Sequence, residues 1–411
     1  MIEPPRLLLL FSSMIVLSYF SSLIYRRTKV PDLVWLMGFG VLLGPMLGIL
    51  DEEIFVVIAP LMGVVSINII TFGAGIDTDI ANLRDVIPKS AALTLSTFTA
   101  VTMVVGLVSS LMVPELDFIR GLLLGTMLSG ISTVAIISMM DELKKIISGL
   151  ESIREILVLE STIVDPVRII LALTIINMIL QKDIEPLSSL KIIYATFALA
   201  SIFGVVLGVL WALILHRLRY RHYNYMLTLA FLFSAYYLGE NLAGQGGGTM
   251  TSYTIGLVLA NHQYFTRQLG FKLRFDIGRI REFNSEISFV MKSYYFVYIG
   301  IIVTLSREYM MVGLALTTLI ILTRYTVASI VGYVENFTSI ETLVARYSFP
   351  LGTSALVFSQ LPIIYDPQQK AITNPHIYTN LVFPVVLGTI IFMTLSGPTI
   401  VKWRVEQGEA E

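Results

Sequence analysis

Residues 157–173 read LVLESTIVDPVRIILAL, and this stretch decides the fold. Its apolar residues run on without alternating, which fits a buried helix and not a strand with one wet face. Followed to its apolar limits it covers 152–180, enough to cross about 30 Å of hydrocarbon. Similar runs recur along the whole chain. In lipid every backbone polar group needs an internal partner, so a spanning segment is a helix or a strand of a closed barrel; the continuous runs select helices. The chain therefore reads as an all-α polytopic membrane protein.

Composition agrees and narrows the function. Of 411 residues, 55% are hydrophobic and 14% charged, against about 25% charged in a soluble domain. A net charge of −1 gives no electrostatic reason to bind nucleic acid. With no cysteine, disulfides, thiol catalysis and iron–sulfur clusters are excluded. Four scattered histidines provide no metal-ligand spacing, so no cofactor is expected. An intramembrane hydrolase would need a pair of aspartates or a Ser–His arrangement, which the spans lack; the chain does not read as an enzyme.

Hydropathy predicts about thirteen spans, near 6–25, 31–50, 54–75, 87–112, 118–140, 152–180, 191–215, 223–241, 246–262, 286–305, 309–331, 340–363 and 378–399. The first reads as a retained span and not a signal peptide, since it lacks a small-residue cleavage site. The longest connection, 263–285, reads as an amphipathic surface segment. Loops after odd-numbered spans are rich in Lys and Arg, among them Arg26, Arg27, Lys29, Arg84, Lys89, Lys144, Lys145, Arg217, Arg219, Arg221 and Lys272. Loops after even-numbered spans hold few, such as Lys182, Arg307 and Lys370. Basic loops stay in the cytoplasm, which puts the N-terminus outside and the C-terminus inside. Trp35, Trp211 and Trp403 fall at cytoplasmic span ends, where amphipathic rings are favoured. RLRYRHYNY, 217–225, reads as an ordinary basic loop, and Glu240 as a solvated helix end.

Two pairs of strings are alike at an offset of seven spans: SINIITFGAG (66–75) with SYYFVYIGII (293–302), and GISTVAII (130–137) with PLGTSALV (350–357). An odd offset inverts the second copy. Repeat one would cover about 6–180, a linker span 191–215 and repeat two 223–399. Inverted repeats are a mark of secondary transporters. Gly130, Ser132 and Thr133 in the fifth span, and Pro350, Gly352, Thr353 and Ser354 in the twelfth, are poor helix formers. Each group is a candidate helix break, and such breaks bind ions through half-helix ends and freed carbonyls.

Glu160, Asp165, Arg168, Lys292 and Arg324 lie well inside spans. Charge there costs several kcal/mol, roughly 2.5–3.5 on insertion scales, so each is functional or paired within the bundle. Asp165 lies roughly 20 Å along its helix, near mid-membrane. Glu160 and Asp165 are about 140° apart and face different neighbours; Asp165 and Arg168 are about 60° apart and can pair. Pro166 frees the carbonyl of Thr162, which with the hydroxyls of Ser161 and Thr162 would add cation-binding groups beside Asp165.

These strings resemble the monovalent cation:proton antiporters, the sodium/hydrogen exchanger superfamily of prokaryotic type, over nearly the whole chain. VPDLVWLMGFGVLLGP (30–45), ITFGAGIDTD (70–79), LGENLAGQGGGTMTSYTIGLVLAN (238–261), YYFVYIGI (294–301) and above all LESTIVD (159–165) carry the likeness. It implies that Asp165 binds the cation or proton and that Glu160 pairs structurally with Arg324. It places Ser132 and Thr133 at one unwound crossing, and Pro350 and Gly352 at the other. It also implies a core of broken helices moving against a dimerisation domain, in a lipid-embedded homodimer of the plasma membrane. Val164 stands where the family usually has Asn or Asp, Ser132 where it has an acid, and Leu351 where it has arginine. Arg168 is an extra cation, and Lys292 lies near the position of a lysine that pairs with the aspartate in electrogenic members.

The expected mechanism is exchange of a monovalent cation, sodium first or potassium or lithium, for a proton by competition at Asp165. Burial and a neighbouring cation act oppositely on a carboxyl, and Arg168 or Lys292 would set that balance. With Val164 in place of a second acid, exchange would be electroneutral, unless Arg168 or Lys292 releases from Asp165. The rival expectation is an uncoupled channel or sensor in which Arg168 permanently neutralises Asp165.

Overall fold

A computed structural model describes residues 4–28, 32–48, 52–78, 86–144, 147–180, 186–219, 221, 223–244, 246–267 and 273–406. Lys29, Arg84, Lys145, Lys182 and Lys272 of the orientation argument lie outside the described residues, as does the side chain of Thr353. Every regular element described is helical. A helix lies over each of the thirteen apolar stretches. Among the described residues, five are long and apolar enough to cross a membrane by length and composition: Ile87–Met112, Glu151–Leu180, Ala195–Arg217, Arg307–Val334 and His376–Thr394.

Two expected spans are interrupted. The fifth is helix Phe118–Leu128 followed, after 129–132, by Thr133–Leu143. The twelfth is Ser339–Tyr347, then 348–352, then Thr353–Phe358 and Leu361–Tyr365. Local chemistry sets these limits. Asp117 caps the first helix by accepting from the Arg120 N–H, and the helix stops at Ser129–Gly130. Thr338 and Glu341 form a reciprocal capping box on Ser339–Tyr347, which ends ahead of Pro350.

The connection 263–285 differs from its sequence reading. His262–Arg267 is a short helix, and residues from 277 already belong to the long helix Ile277–Ile302. Asp276 starts that helix early: its Oδ1 accepts the Arg279 N–H at 3.1 Å.

The chain divides into two compact units. The smaller, Leu61–Arg84 with Gln181–Met291, has a core of Phe72, Trp211, Leu215, Leu232, Ile255 and Leu259. Trp211, near the end of helix Pro186–Arg217, packs in this core. It stacks on Phe231 with ring centroids 4.1 Å apart and donates to Thr228 Oγ1 at 3.1 Å. Glu240 is not merely solvated either: its carboxylate accepts the N–H groups of Gly246 and Gly248 at 2.9 and 3.0 Å, anchoring the start of helix Gly247–Ala260.

The larger unit is Met1–Pro60, Asp85–Leu180 and Lys292–Glu411. It holds both interrupted helices and the charged helix Glu151–Leu180. Its helices approach closely through glycine: a Cβ on Gly40 would meet the Val297 carbonyl, and one on Gly300 the Met37 carbonyl.

Candidate ion site at the crossing of two broken helices

The two breaks meet. The Ser132 N–H donates to the Pro350 carbonyl at 2.7 Å, and a Cβ on Gly352 would lie 2.7 Å from that of Ser132. Only glycine at 352 allows this approach. Ser132 also caps the second half-helix, its Oγ accepting from the Ala135 N–H. Leu351, between Pro350 and Gly352, is fully buried, and its N–H donates to Thr389 Oγ1 at 3.2 Å.

Helix Glu151–Leu180 runs through Pro166 without interruption and brings two carboxylates to the crossing. Glu160 faces Arg324: Nη1 and Nη2 donate to Oε1 and Oε2 at 2.5 and 2.9 Å. Both side chains are sealed, at 3% and 0% exposure. The Arg324 guanidinium further donates to Thr97 Oγ1 at 3.0 Å and to the Ala345 carbonyl at 2.8 Å, and lies over the Phe349 ring. Ala345 is in the last turn of Ser339–Tyr347, where helical carbonyls lack intrahelical partners.

Asp165 faces Arg168, whose Nη1 donates to Oδ1 at 2.7 Å. Arg168 is 1% exposed, while Asp165 retains 20%. The Arg168 Nη1 also reaches Ser354 Oγ at 3.0 Å, Nε the Thr126 carbonyl at 3.1 Å, and Nη2 the Met127 carbonyl. Its guanidinium sits over the Phe358 ring, 4.9 Å from the centroid. Thr126 and Met127 belong to the last turn of Phe118–Leu128, the other half-helix that ends at the crossing.

One turn before Asp165, Ser161 Oγ donates to the Val158 carbonyl and lies 2.7 Å from Thr133 Oγ1. Thr162 Oγ1 bonds the same Val158 carbonyl at 2.9 Å, so its hydroxyl hydrogen is turned along its own helix. Val164 is buried. Lys292 is half-buried on Ile277–Ile302, and Arg168 pairs with Asp165. The crossing thus gathers Asp165 with Arg168 and Ser354, and one helical turn earlier the paired hydroxyls of Ser161 and Thr133. Hard oxygen donors of this kind suit alkali cations and protons. Among the described residues, no group of three His, Asp or Glu side chains is placed to hold a metal ion.

Thr97 and the carbonyls of Thr126, Met127 and Ala345 escaped sequence reasoning. Carbonyls carry no residue-type signal, and Thr97 lies in an unremarkable apolar run. Ser354 was visible as part of the second break, but its bond to Arg168 was not.

A sequence search finds no match among curated proteins. The fold is similar to that of the sodium proton antiporter MjNhaP1 from Methanocaldococcus jannaschii in its structure at pH 8, with a TM-score of 0.82 at 19% identity, covering 97% of this chain and 100% of that one. An electron-microscopy structure of MjNhaP1 matches with a TM-score of 0.74 at 20% identity, covering 98% of each chain. The model of the transmembrane sodium/hydrogen exchanger family matches residues 12–407. A match over nearly the whole length settles the class: this chain belongs to the sodium/hydrogen exchanger family, whose members are cation/proton transporters and not enzymes.

Proposed function

We propose that this protein exchanges one monovalent cation for one proton through competition at Asp165, with alternating access. The observation that carries the reading is the contrast in exposure at the crossing: Asp165 keeps 20% while Glu160 and both arginines are sealed. A carboxylate is neutralised equally by a bound cation or a proton, and only the neutralised site crosses a low-dielectric barrier cheaply. Sodium is the leading cation, supported by the likeness to a sodium proton antiporter, with lithium and potassium as alternatives. Ser161, Thr133 and Ser132 supply neutral oxygens, and Thr162 its carbonyl. Pro350, Gly352 and Thr353 hold the second break open beside them. Glu160 and Arg324 are the structural pair.

The reading extends to the whole chain. Residues 1–411 form one exchanger domain with inverted repeats at 6–180 and 223–399 around a linker at 191–215. The protein works as a homodimer in the plasma membrane, N-terminus outside and C-terminus in the cytoplasm, its broken-helix core moving against a dimerisation domain.

The Asp165–Arg168 ion pair favours one other reading, an uncoupled channel or sensor with Asp165 permanently neutralised. Proteoliposomes separate the two. Sodium, lithium and potassium gradients are imposed in turn, with the membrane potential clamped, and internal pH is followed. Exchange predicts a cation-driven pH change that Asp165→Asn abolishes. Undiminished exchange in that variant would end the proposal, and cation flux without proton movement would establish the channel.

A further inference from the structure

Arg168 and Arg324 are built alike. Each is fully buried, makes four side-chain hydrogen bonds, lies over a phenylalanine of the segment 348–358 and pairs with an acid of helix Glu151–Leu180. Each also donates to the terminal carbonyls of a half-helix that stops at the crossing. Those carbonyls are the negative end of a helix dipole and lack intrahelical N–H partners, although the Thr126 carbonyl also accepts from Ser129 Oγ at 2.9 Å; the dipole favours a cation there. We propose that Arg168 is a permanent cap on helix Phe118–Leu128, and that it stays docked while Asp165 takes up and releases its cargo. Of its four bonds only one goes to Asp165, so releasing Asp165 leaves three anchors in place. A guanidinium also does not give up its proton in proteins, so Arg168 carries none across. Arg168 is then a positioning residue: it orients Asp165 and limits the exchange to the single proton of that carboxyl.

Gly130 provides the handle. A Cβ there would meet three atoms first, and all belong to Arg168: Nη1, Cζ and Cδ. The strain of Gly130→Ala therefore falls on the docked guanidinium, and Arg168→Gln relieves it. Unfolding midpoints of the full-length protein in detergent are measured for the wild type, both single variants and the double variant, each without sodium and in saturating sodium chloride. A docked Arg168 predicts strong non-additivity of the two substitutions, of equal size in both conditions. It also predicts that Arg168→Lys does not restore the wild-type sodium half-saturation, because an ammonium lacks the planar fork. Coupling that vanishes in saturating sodium would show that cargo displaces Arg168, and additivity in both conditions would show no docking; either overturns the proposal. It rests on Asp165 as the ion site, which is checked separately. Sodium raises the wild-type midpoint by binding the folded state. If Asp165→Asn keeps that rise, the ion-site reading fails; if the rise is lost but the coupling is sodium-sensitive, only the cap fails.

Discussion

Two carboxylates stand five residues apart on one helix, each paired with an arginine, and the two pairs are not equivalent. Glu160 and Arg324 use both carboxylate oxygens and have no exposure to speak of, at 3% and 0%. Asp165 and Arg168 pair through Oδ1, and Asp165 remains one-fifth exposed. A sealed bidentate pair has no room for a third charge, because any newcomer must break bonds that nothing else can replace. A partly open carboxylate held from one side can exchange what neutralises it. Position relative to the breaks makes the difference. Arg324 reaches from a separate long helix to the end of Ser339–Tyr347 and closes over Glu160. Arg168 comes from the helix of its own partner and spends most of its donors on the break.

The comparison is broken most severely by removing one member of the sealed pair. Arg324→Ala leaves Glu160 uncompensated, at a cost of about 3–5 kcal/mol. The expected result is little folded protein, read as loss of the monodisperse peak in size-exclusion chromatography. Normal yield and melting would mean the two pairs differ less than the geometry says. Next in size is Gly352→Ala, which touches neither pair. Its Cβ would lie 2.7 Å from that of Ser132 and force the breaks apart, an overpacking cost of about 1–3 kcal/mol. Melting should fall while exchange falls further, since the hydroxyls and Asp165 meet only at that crossing.

Smallest is a third carboxylate, outside the spans, held without any arginine. Asp366 is buried, which raises its pKa. The N–H groups of Ile372, Ala371 and Lys370 outweigh this and hold it below the usual carboxylate range. A depressed folded value contributes stability that is complete above the unfolded value, about 3.9, and fades as pH falls through the folded one. Asp366→Asn should therefore melt earlier than wild type at neutral pH, with the gap closing below pH ~4. A gap that persists in acid would show that the charge contributes nothing there.

Much of the fold could be read from residue order. Thirteen apolar stretches all carry helix, and the two groups of weak helix formers, at 130–133 and 350–354, mark the two interruptions. Where the structure differs, at Glu240 and 277–285, the cause was a cap supplied from next to the segment. The family could also be read, because its motifs are runs of neighbouring residues such as LESTIVD.

What the sequence by itself determined about this protein is local. Backbone groups in an apolar run must bond within their own segment, so helices, their caps and their breaks follow from residues a turn or two apart. The i, i+3 spacing of Asp165 and Arg168 belongs to the same order of information. Only the tertiary structure decided where the remaining donors of Arg168 go. Its acceptors are carbonyls 41 and 42 residues away and a hydroxyl 186 residues away, and Arg324 finds Glu160 across 164. A buried guanidinium takes whatever acceptors the packing presents. The acceptors that matter most here are main-chain carbonyls, which every residue has and no residue name reveals.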